Sequence, residues 1–117
     1  MTKITFFRRD GSFSGFCETG HTGYGESGDD VLCAALSAMT MLILNTIEIS
    51  YAGDVQYEID ETTTNVTVRA MCALPEFESD ERRRFAVEGL IKGYYYQLND
   101  LLEDYYDHLD VDVVDDE

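Results

Sequence analysis

The sequence predicts an α+β fold: a two-layer ββαββα sandwich in which two helices cover a four-stranded, mainly antiparallel sheet. Two observations lead to this prediction. Short segments with a period-2 alternation of apolar residues occur in two pairs, and each pair is followed by a longer apolar segment with helical spacing. The length of 117 residues suits one domain with a single hydrophobic core.

Each pair of strands is predicted to form a β-hairpin. The first hairpin occupies residues 2–9 and 12–18, joined by Asp10-Gly11, a dipeptide typical of two-residue turns. The second lies on either side of a turn at residues 60–65. Its alternating apolar positions are Val55, Tyr57, Ile59, Val66, Val68, Ala70 and Cys72, and the last is expected to be a core residue of the fourth strand.

The first predicted helix follows a glycine-rich stretch. Asp29 or Asp30 can cap it, because a carboxylate oxygen accepts hydrogen bonds from the free N–H groups of a first turn, and the apolar pattern continues to about Ile49. The helix is apolar nearly all round and is therefore expected to be the central buried element. Its polar residues recur at steps of three to five: Cys33, Ser37, Thr40, Asn45 and Glu48.

The second predicted helix is long for so small a domain. Ser79-Asp80-Glu81 supplies a cap and acidic side chains at its start, and the helix is expected to reach His108. Its tyrosines at 94–96 and 105–106 either offer a surface to a second copy of the chain or simply cover the sheet. The apolar positions at helical spacing are Val87, Ile91, Tyr94, Leu98, Leu101 or Leu102, and Tyr105.

Residues 1–109 are predicted to form a single domain, and residues 110–117 an acidic, frayed C-terminal tail. The N-terminus has no uninterrupted apolar run and no small-residue cleavage site, which argues against a signal peptide. The apolar run from Val31 to Leu44 is shorter than the ~20 residues that cross a bilayer, so no membrane contact is expected. Three cysteines without paired spacing suit reduced thiols, and a cytoplasmic location is expected.

The net charge of −16, from 24 acidic and 8 basic residues, argues against direct binding of nucleic acid. Proteins that hold a phosphate backbone carry a surplus of lysine and arginine. Two interpretations of the charge stay open. It keeps the protein soluble, or it attracts a cationic protein partner.

The most informative stretch is GHTGYGESGDDVLC, residues 20–33. A thiol attacks a carbonyl only as the thiolate, and an ordinary thiol with a pKa of about 8.5 is mostly protonated at neutral pH. Cys33 is predicted in the first helical turn, where the helix dipole favours negative charge, and His21 is placed to accept its proton and return it to a leaving amine. Backbone N–H groups of the same turn can hold an oxyanion, and the glycines can form a mobile lid over an extended peptide.

Other interpretations fit the same residues. A small cysteine early in a buried helix is commonly a packing residue, and a lone histidine after a strand is commonly a turn residue. A phosphate-binding loop is disfavoured because no lysine follows the glycines. A metal site is disfavoured because none of the residues Cys17, His21, Cys33 and His108 form a CxxC or HxxxH pair. Neither a metal nor a cofactor is expected.

The same stretch resembles a known family. Gly20-His21, Gly25-Glu26, Gly28, Asp30, Cys33-Ala34 and Ser37-Ala38 are similar to the signature G-H-x-x-x-G-E-x-G-x-D-x-x-C-A-x-x-S-A of the bacterial ribosomal-processing cysteine proteases, the Prp family. The twelve-residue step from histidine to cysteine is kept, and the length and element order agree.

The resemblance implies a cysteine endopeptidase that removes the N-terminal extension of the large-subunit ribosomal protein L twenty-seven. It implies His21 and Cys33 as the catalytic dyad, a typically homodimeric enzyme, and a substrate loop with Gly20, Gly23, Gly25, Glu26 and Gly28. Asp30 either orients His21 or the loop, or caps the helix; Ser37 either bonds within the site or bonds back to its own helix. The alternative function is a dimer of the same fold that binds a ribosomal protein without cutting it.

Overall fold

A computed structural model of the chain describes residues 1–20, 27–63 and 65–115, with the backbone alone at 27–30. Five strands form one mixed sheet in the order β3-β4-β2-β1-β5, and two helices pack on one face of it. The elements in chain order are β1 (Thr2–Arg9), β2 (Ser12–Thr19), α1 (Ser27–Asn45), β3 (Gln56–Ile59), β4 (Val66–Arg69), α2 (Glu81–Tyr105) and β5 (Leu109–Asp115). The predicted α+β class with two helices is confirmed.

Both predicted hairpins are present. β1 pairs antiparallel with β2, and β3 pairs antiparallel with β4. At the first turn Asp10 and Gly11 both have positive φ values, 51° and 82°, as a type I′ turn requires, and Gly11 adopts such a value without strain. β2 and β4 then pair antiparallel, which joins the two hairpins into one sheet.

The fifth strand was not expected. β5 pairs in parallel with β1 from Thr2–Leu109 to Arg8–Asp115, so the predicted four-stranded sheet is wrong in this detail. The prediction of a frayed end is likewise wrong for residues 110–115, while 116–117 lie outside the described residues. Leu109 is buried, and two cations of β1 lie beside two of the three aspartates of the strand: Lys3 lies 3.9 Å from Asp112 and Arg8 lies 2.9 Å from Asp115.

α1 begins earlier than predicted, and the helical segment ends close to the predicted end. It starts at Ser27, so Asp29 and Asp30 lie inside its first turn rather than before it, where the dipole favours acidic residues. After Asn45 the helix continues as one wider π turn to Ser50. The segment Val31–Ser50 is thus long and apolar enough, by length and composition only, to cross a membrane, although Val31–Leu44 alone is not.

α1 is also less buried than expected. About a third of the segment Val31–Ser50 is buried, through side chains that include Leu32, Leu36 and Ile43. The opposite face of the helix is exposed and apolar, with Val31, Met41, Leu42 and Ile49. The expectation of a central buried element therefore holds for one face of α1 only.

Tyr94 and Tyr95 of α2 cover the sheet, which is one of the two roles predicted for the tyrosines of this helix. The Asp80 carboxylate accepts hydrogen bonds from the backbone N–H groups of Arg82 and Arg83, so the predicted cap is confirmed. The helix ends at Tyr105, short of His108. The predicted residues Val87, Ile91, Tyr94 and Leu98 are buried, and Tyr94 and Tyr95 pack against phenylalanine rings of β1 and β2.

Cys72 is a core residue, as predicted, but it does not belong to β4. The strand ends at Arg69, and residues Met71–Ala73 form a single 3₁₀ turn closed by a hydrogen bond from the Ala73 N–H to the Ala70 carbonyl. Burial raises the pKa of the Cys72 thiol. A buried thiol that holds its proton is a packing group rather than a nucleophile.

Candidate active site

Cys33 lies on α1 at the border between its buried and exposed faces. The side chain is half-buried, whereas Leu32 and Leu36 beside it are buried and Ala34 is exposed. All three cysteines of the chain are thiols, not disulfides. A thiol at such a border is supported by the core and still open to a substrate from the solvent side.

The early start of α1 changes the electrostatic argument for Cys33. Cys33 is the seventh residue of the helix rather than part of its first turn. The N–H groups without a partner inside a helix belong to its first four residues, here 27–30, and the dipole effect falls off within the first turn. The prediction that the N–H groups of Cys33 and its neighbours supply the oxyanion site is therefore wrong, and the helix start alone does not account for a thiolate.

The predicted histidine lies outside the described residues, as do Gly23, Gly25 and Glu26 of the predicted loop. The residue before His21 is described. Gly20 has a φ of 80°, and a Cβ atom there would lie 2.3 Å from the carbonyl oxygen of Met1. Only glycine fits this position, so the start of the histidine segment is held closely against the N-terminus.

The remaining predicted site residues all belong to α1. The backbone of Gly28 and Asp30 lies in its first turn, which removes Gly28 from the loop. Ser37 is exposed, one turn after Cys33. These positions place Asp30 and Ser37 on the same helix as Cys33, and Asp30, the fourth residue of the helix, is not its N-cap.

A buried carboxylate lies near the site, and the sequence analysis did not single it out. Glu18, on β2, is only 3% exposed. Its Oε1 atom accepts hydrogen bonds from the Thr40 hydroxyl of α1 at 2.8 Å and from the Tyr94 hydroxyl of α2 at 3.0 Å. Burial and the nearby Glu18 carboxylate raise the pKa of Tyr94 well above its usual value, so its hydroxyl remains a donor.

The alternation of β2 contains the signal that this carboxylate is buried. Residues two apart in a strand share a face, and Phe16 packs into the core, so Glu18 faces the helices as well. By the same rule Cys17 faces the opposite side of the sheet, where its Sγ accepts a hydrogen bond from Thr67 at 3.5 Å. Cys17 and Cys33 therefore lie on opposite sides of the sheet, and the described residues contain no group of ligands arranged for a metal.

Charge is distributed unevenly between the two ends of the sheet. The site end is the end where β2 finishes at Thr19, beside the starts of β1, β4 and β5. The arginines all lie toward the other end, at 8, 9, 69 and 82–84. Described acidic residues at the site end are Glu58, Asp60, Glu61, Glu103, Asp104, Asp107 and Asp110, with Lys3 the cation among them. The site end is thus the more negative one.

Comparison with known proteins gives one family match. A family model described as cysteine protease Prp matches residues 1–110. No curated protein matches the chain.

Several solved structures are similar in fold. The structure of SMU.848 from Streptococcus mutans is 26% identical, covers 99% of both chains and has a TM-score of 0.79. The ribosomal processing protease Prp from S. aureus in complex with a substrate peptide is 16% identical, with a TM-score of 0.77 over 97% of this chain and 100% of that one. The same S. aureus protease with a covalently linked product peptide is 17% identical, with a TM-score of 0.75 over the same shares.

Proposed function

The chain belongs to the Prp family of cysteine proteases, and on that basis we propose that it removes the N-terminal extension of the large-subunit ribosomal protein L twenty-seven in the cytoplasm. The observation that carries the proposal is the half-buried Cys33 thiol, set twelve residues after His21 in the family's motif. The S. aureus protease of the same fold is known with a substrate peptide and with a covalently linked product peptide, which supports covalent peptide chemistry for this site.

The proposed reaction is acyl transfer through Cys33. The Sγ atom, as thiolate, attacks the carbonyl carbon of the scissile bond, and His21 holds the proton that the thiol has lost. His21 gives this proton to the leaving amine, which departs with the mature protein, while the extension stays on Sγ as a thioester. Water, deprotonated by His21, then attacks the thioester, and the released thiolate takes part in the next cycle.

Cleavage of the protein substrate tests this function. The purified chain is incubated with the extended ribosomal protein of the same organism, and the products are identified by mass. One new pair of fragments, absent with a substrate that already lacks the extension, supports the protease. Binding without any fragment would contradict the protease and favour the alternative, a ribosomal-protein-binding dimer of the same fold.

We expect the rate on the intact substrate to depend on salt. Ribosomal proteins are generally basic, and the negative site end attracts a cationic partner, an effect that salt screens. Raising NaCl from about 0.05 to about 0.5 M is expected to lower kcat/KM about tenfold for the intact protein. A short neutral peptide spanning the same bond is the control and should change less than about twofold. An unchanged rate for both substrates would exclude electrostatic steering.

We also propose that the enzyme is a homodimer joined through the exposed apolar face of α1. That face carries large apolar side chains that are about half or more exposed, and a contiguous exposed apolar surface is typical of an interface between subunits. Leu42→Glu, in the middle of the face, is expected to convert the dimer to a monomer, measured by light scattering.

Tyr96→Glu on α2 is the matched control, because Tyr96 is 60% exposed and Leu42 is 61% exposed. This variant should remain a dimer. A monomeric wild-type protein would contradict the dimer, and dissociation by Tyr96→Glu with an intact Leu42→Glu dimer would assign the interface to α2 instead.

A further inference from the structure

The hydrogen-bonded group formed by Glu18, Thr40 and Tyr94 connects three elements at one oxygen atom. Glu18 is on a strand with hydrogen-bonded neighbours on both sides, opposite Ile4 of β1 and Val66 of β4. Thr40 is 4% exposed, and the Tyr94 ring is fixed by edge contacts with Phe6 and Phe16. Each of the three side chains is buried, and Oε1 joins β2 to α1 and to α2 through two hydrogen bonds.

A carboxylate at this position is costly for a protein core. Burying a charged group is unfavourable unless hydrogen bonds replace its hydration, and the surroundings here are apolar and aromatic. An apolar side chain would fill the same space without that cost. Hydrogen bonds differ from apolar contacts in being directional, so they define one relative position of strand and helix where apolar packing tolerates several.

The relative position of β2 and α1 bears directly on the two predicted catalytic residues, because Cys33 lies on α1 and His21 follows β2 in the chain. Thr40 and Cys33 lie seven residues apart on the same face of α1, which is about 10 Å along a helix. His21 follows Glu18 by three residues, and three residues of chain reach at most about 10 Å. Cys33 is thus about 10 Å along α1 from the Glu18–Thr40 hydrogen bond, and the chain length sets a similar upper limit on the distance from Glu18 to His21.

We infer that Glu18 is a positioning residue for the His21–Cys33 pair. Its hydrogen bond to Thr40 fixes the end of β2, which leads to His21, against the helix that carries Cys33. The inference rests on the proposed function, in which these two side chains must meet for proton transfer. The Tyr94 hydrogen bond, by contrast, connects Glu18 to α2, which carries neither residue.

Two variants test the inference, and each removes one of the two hydroxyl groups that donate a hydrogen bond to Oε1 of Glu18. Thr40→Val is expected to lower kcat about tenfold with KM within about twofold, because a displacement well below 1 Å already slows proton transfer. Tyr94→Phe is the matched control and is expected to keep kcat within about threefold. Thermal unfolding of both variants reports the stability that each hydroxyl contributes. Equal losses of kcat, or no loss with Thr40→Val, would overturn the inference.

Substitution of the carboxylate itself separates hydrogen bonding from charge. Glu18→Gln keeps an oxygen that accepts from Thr40 and is expected to keep kcat within about threefold, whereas Glu18→Leu should lose at least as much as Thr40→Val. If Glu18→Gln loses as much as Glu18→Leu, the charge and not the hydrogen bond matters, and the inference is overturned. Should Glu18→Leu fail to fold, the Thr40 and Tyr94 pair still decides.

A measurement without substrate keeps this inference distinguishable from the proposed function. The rate at which iodoacetamide alkylates Cys33 is followed against pH, cysteine by cysteine, by mass spectrometry. A thiol paired with an imidazole is alkylated at pH values well below about 8.5, the pKa of an ordinary thiol. Thr40→Val is expected to move the profile toward that value and Tyr94→Phe to leave it unchanged. The same profile for all three proteins would overturn the positioning role, whether or not the wild type cuts its substrate.

Discussion

Replacing Cys33 by alanine is expected to abolish peptide cleavage, lowering kcat by about 10⁴-fold or more. The reason is that no other atom of the site can form the thioester, and a proton acceptor alone has nothing to activate. The variant should fold normally, because Cys33 is half-buried and alanine keeps the helix. The measurement is a rate of product formation by mass, with Tm to show that the variant is folded.

Cys17→Ala is the matched control for this loss. Cys17 is also a half-buried thiol, but it faces the side of the sheet away from the helices. Its replacement is expected to keep kcat within about twofold. Cleavage that persists in Cys33→Ala, or that disappears in Cys17→Ala, would show that the nucleophile has been assigned to the wrong residue.

The largest loss of stability is expected from Phe6→Ala, at about 3–5 kcal/mol. Phe6 has no exposed surface, and its ring contacts Phe13, Phe16, Tyr94 and Tyr95 with centroids 5.3–6.0 Å apart. Alanine there leaves a cavity where the sheet meets α2. The free energy of unfolding, measured in urea, gives the cost directly.

Phe85→Ala makes the same chemical change at the surface. Phe85 is 81% exposed, so its replacement should change the free energy of unfolding by less than about 0.5 kcal/mol. A cost below about 1.5 kcal/mol for Phe6→Ala, or equal costs for the two variants, would contradict the position of Phe6 at the centre of the core.

The parts of the fold that the sequence could predict are those with a local physical signal. Asp10-Gly11 specifies a turn through two positive φ values, and Asp80 caps α2 through hydrogen bonds within three residues. β5 has the same alternation as the other strands, but its polar positions are aspartates, and a run of aspartates is typical of a solvated tail. It is a strand because it pairs along its length with β1, about a hundred residues earlier, and buries Leu109; Lys3 and Arg8 of β1 then lie beside two of its aspartates.

The candidate site was likewise predicted only where the sequence carries a local signal. The motif identified Cys33, but its position within the helix depends on where α1 begins, and an aspartate is as favourable inside a first turn as before it. A helix that is apolar all round gives no signal of which face is buried, so the exposure of Leu42 was not predictable. The alternation of β2 places Glu18 on the core side, but the hydroxyls that satisfy its buried carboxylate are 22 and 76 residues away in sequence, so the hydrogen-bonded group had no local signal.

One measurement tests the central claim, that Cys33 attacks the scissile carbonyl, most directly. Once the cleavage site is known, a peptide ending at the scissile residue as a chloromethyl ketone is added, and the labelled residue is mapped by mass. We expect one label per chain, on Cys33, with activity lost in proportion to labelling. Complete inactivation with the label on Cys17 or Cys72, or full labelling of Cys33 with activity unchanged, would contradict the account.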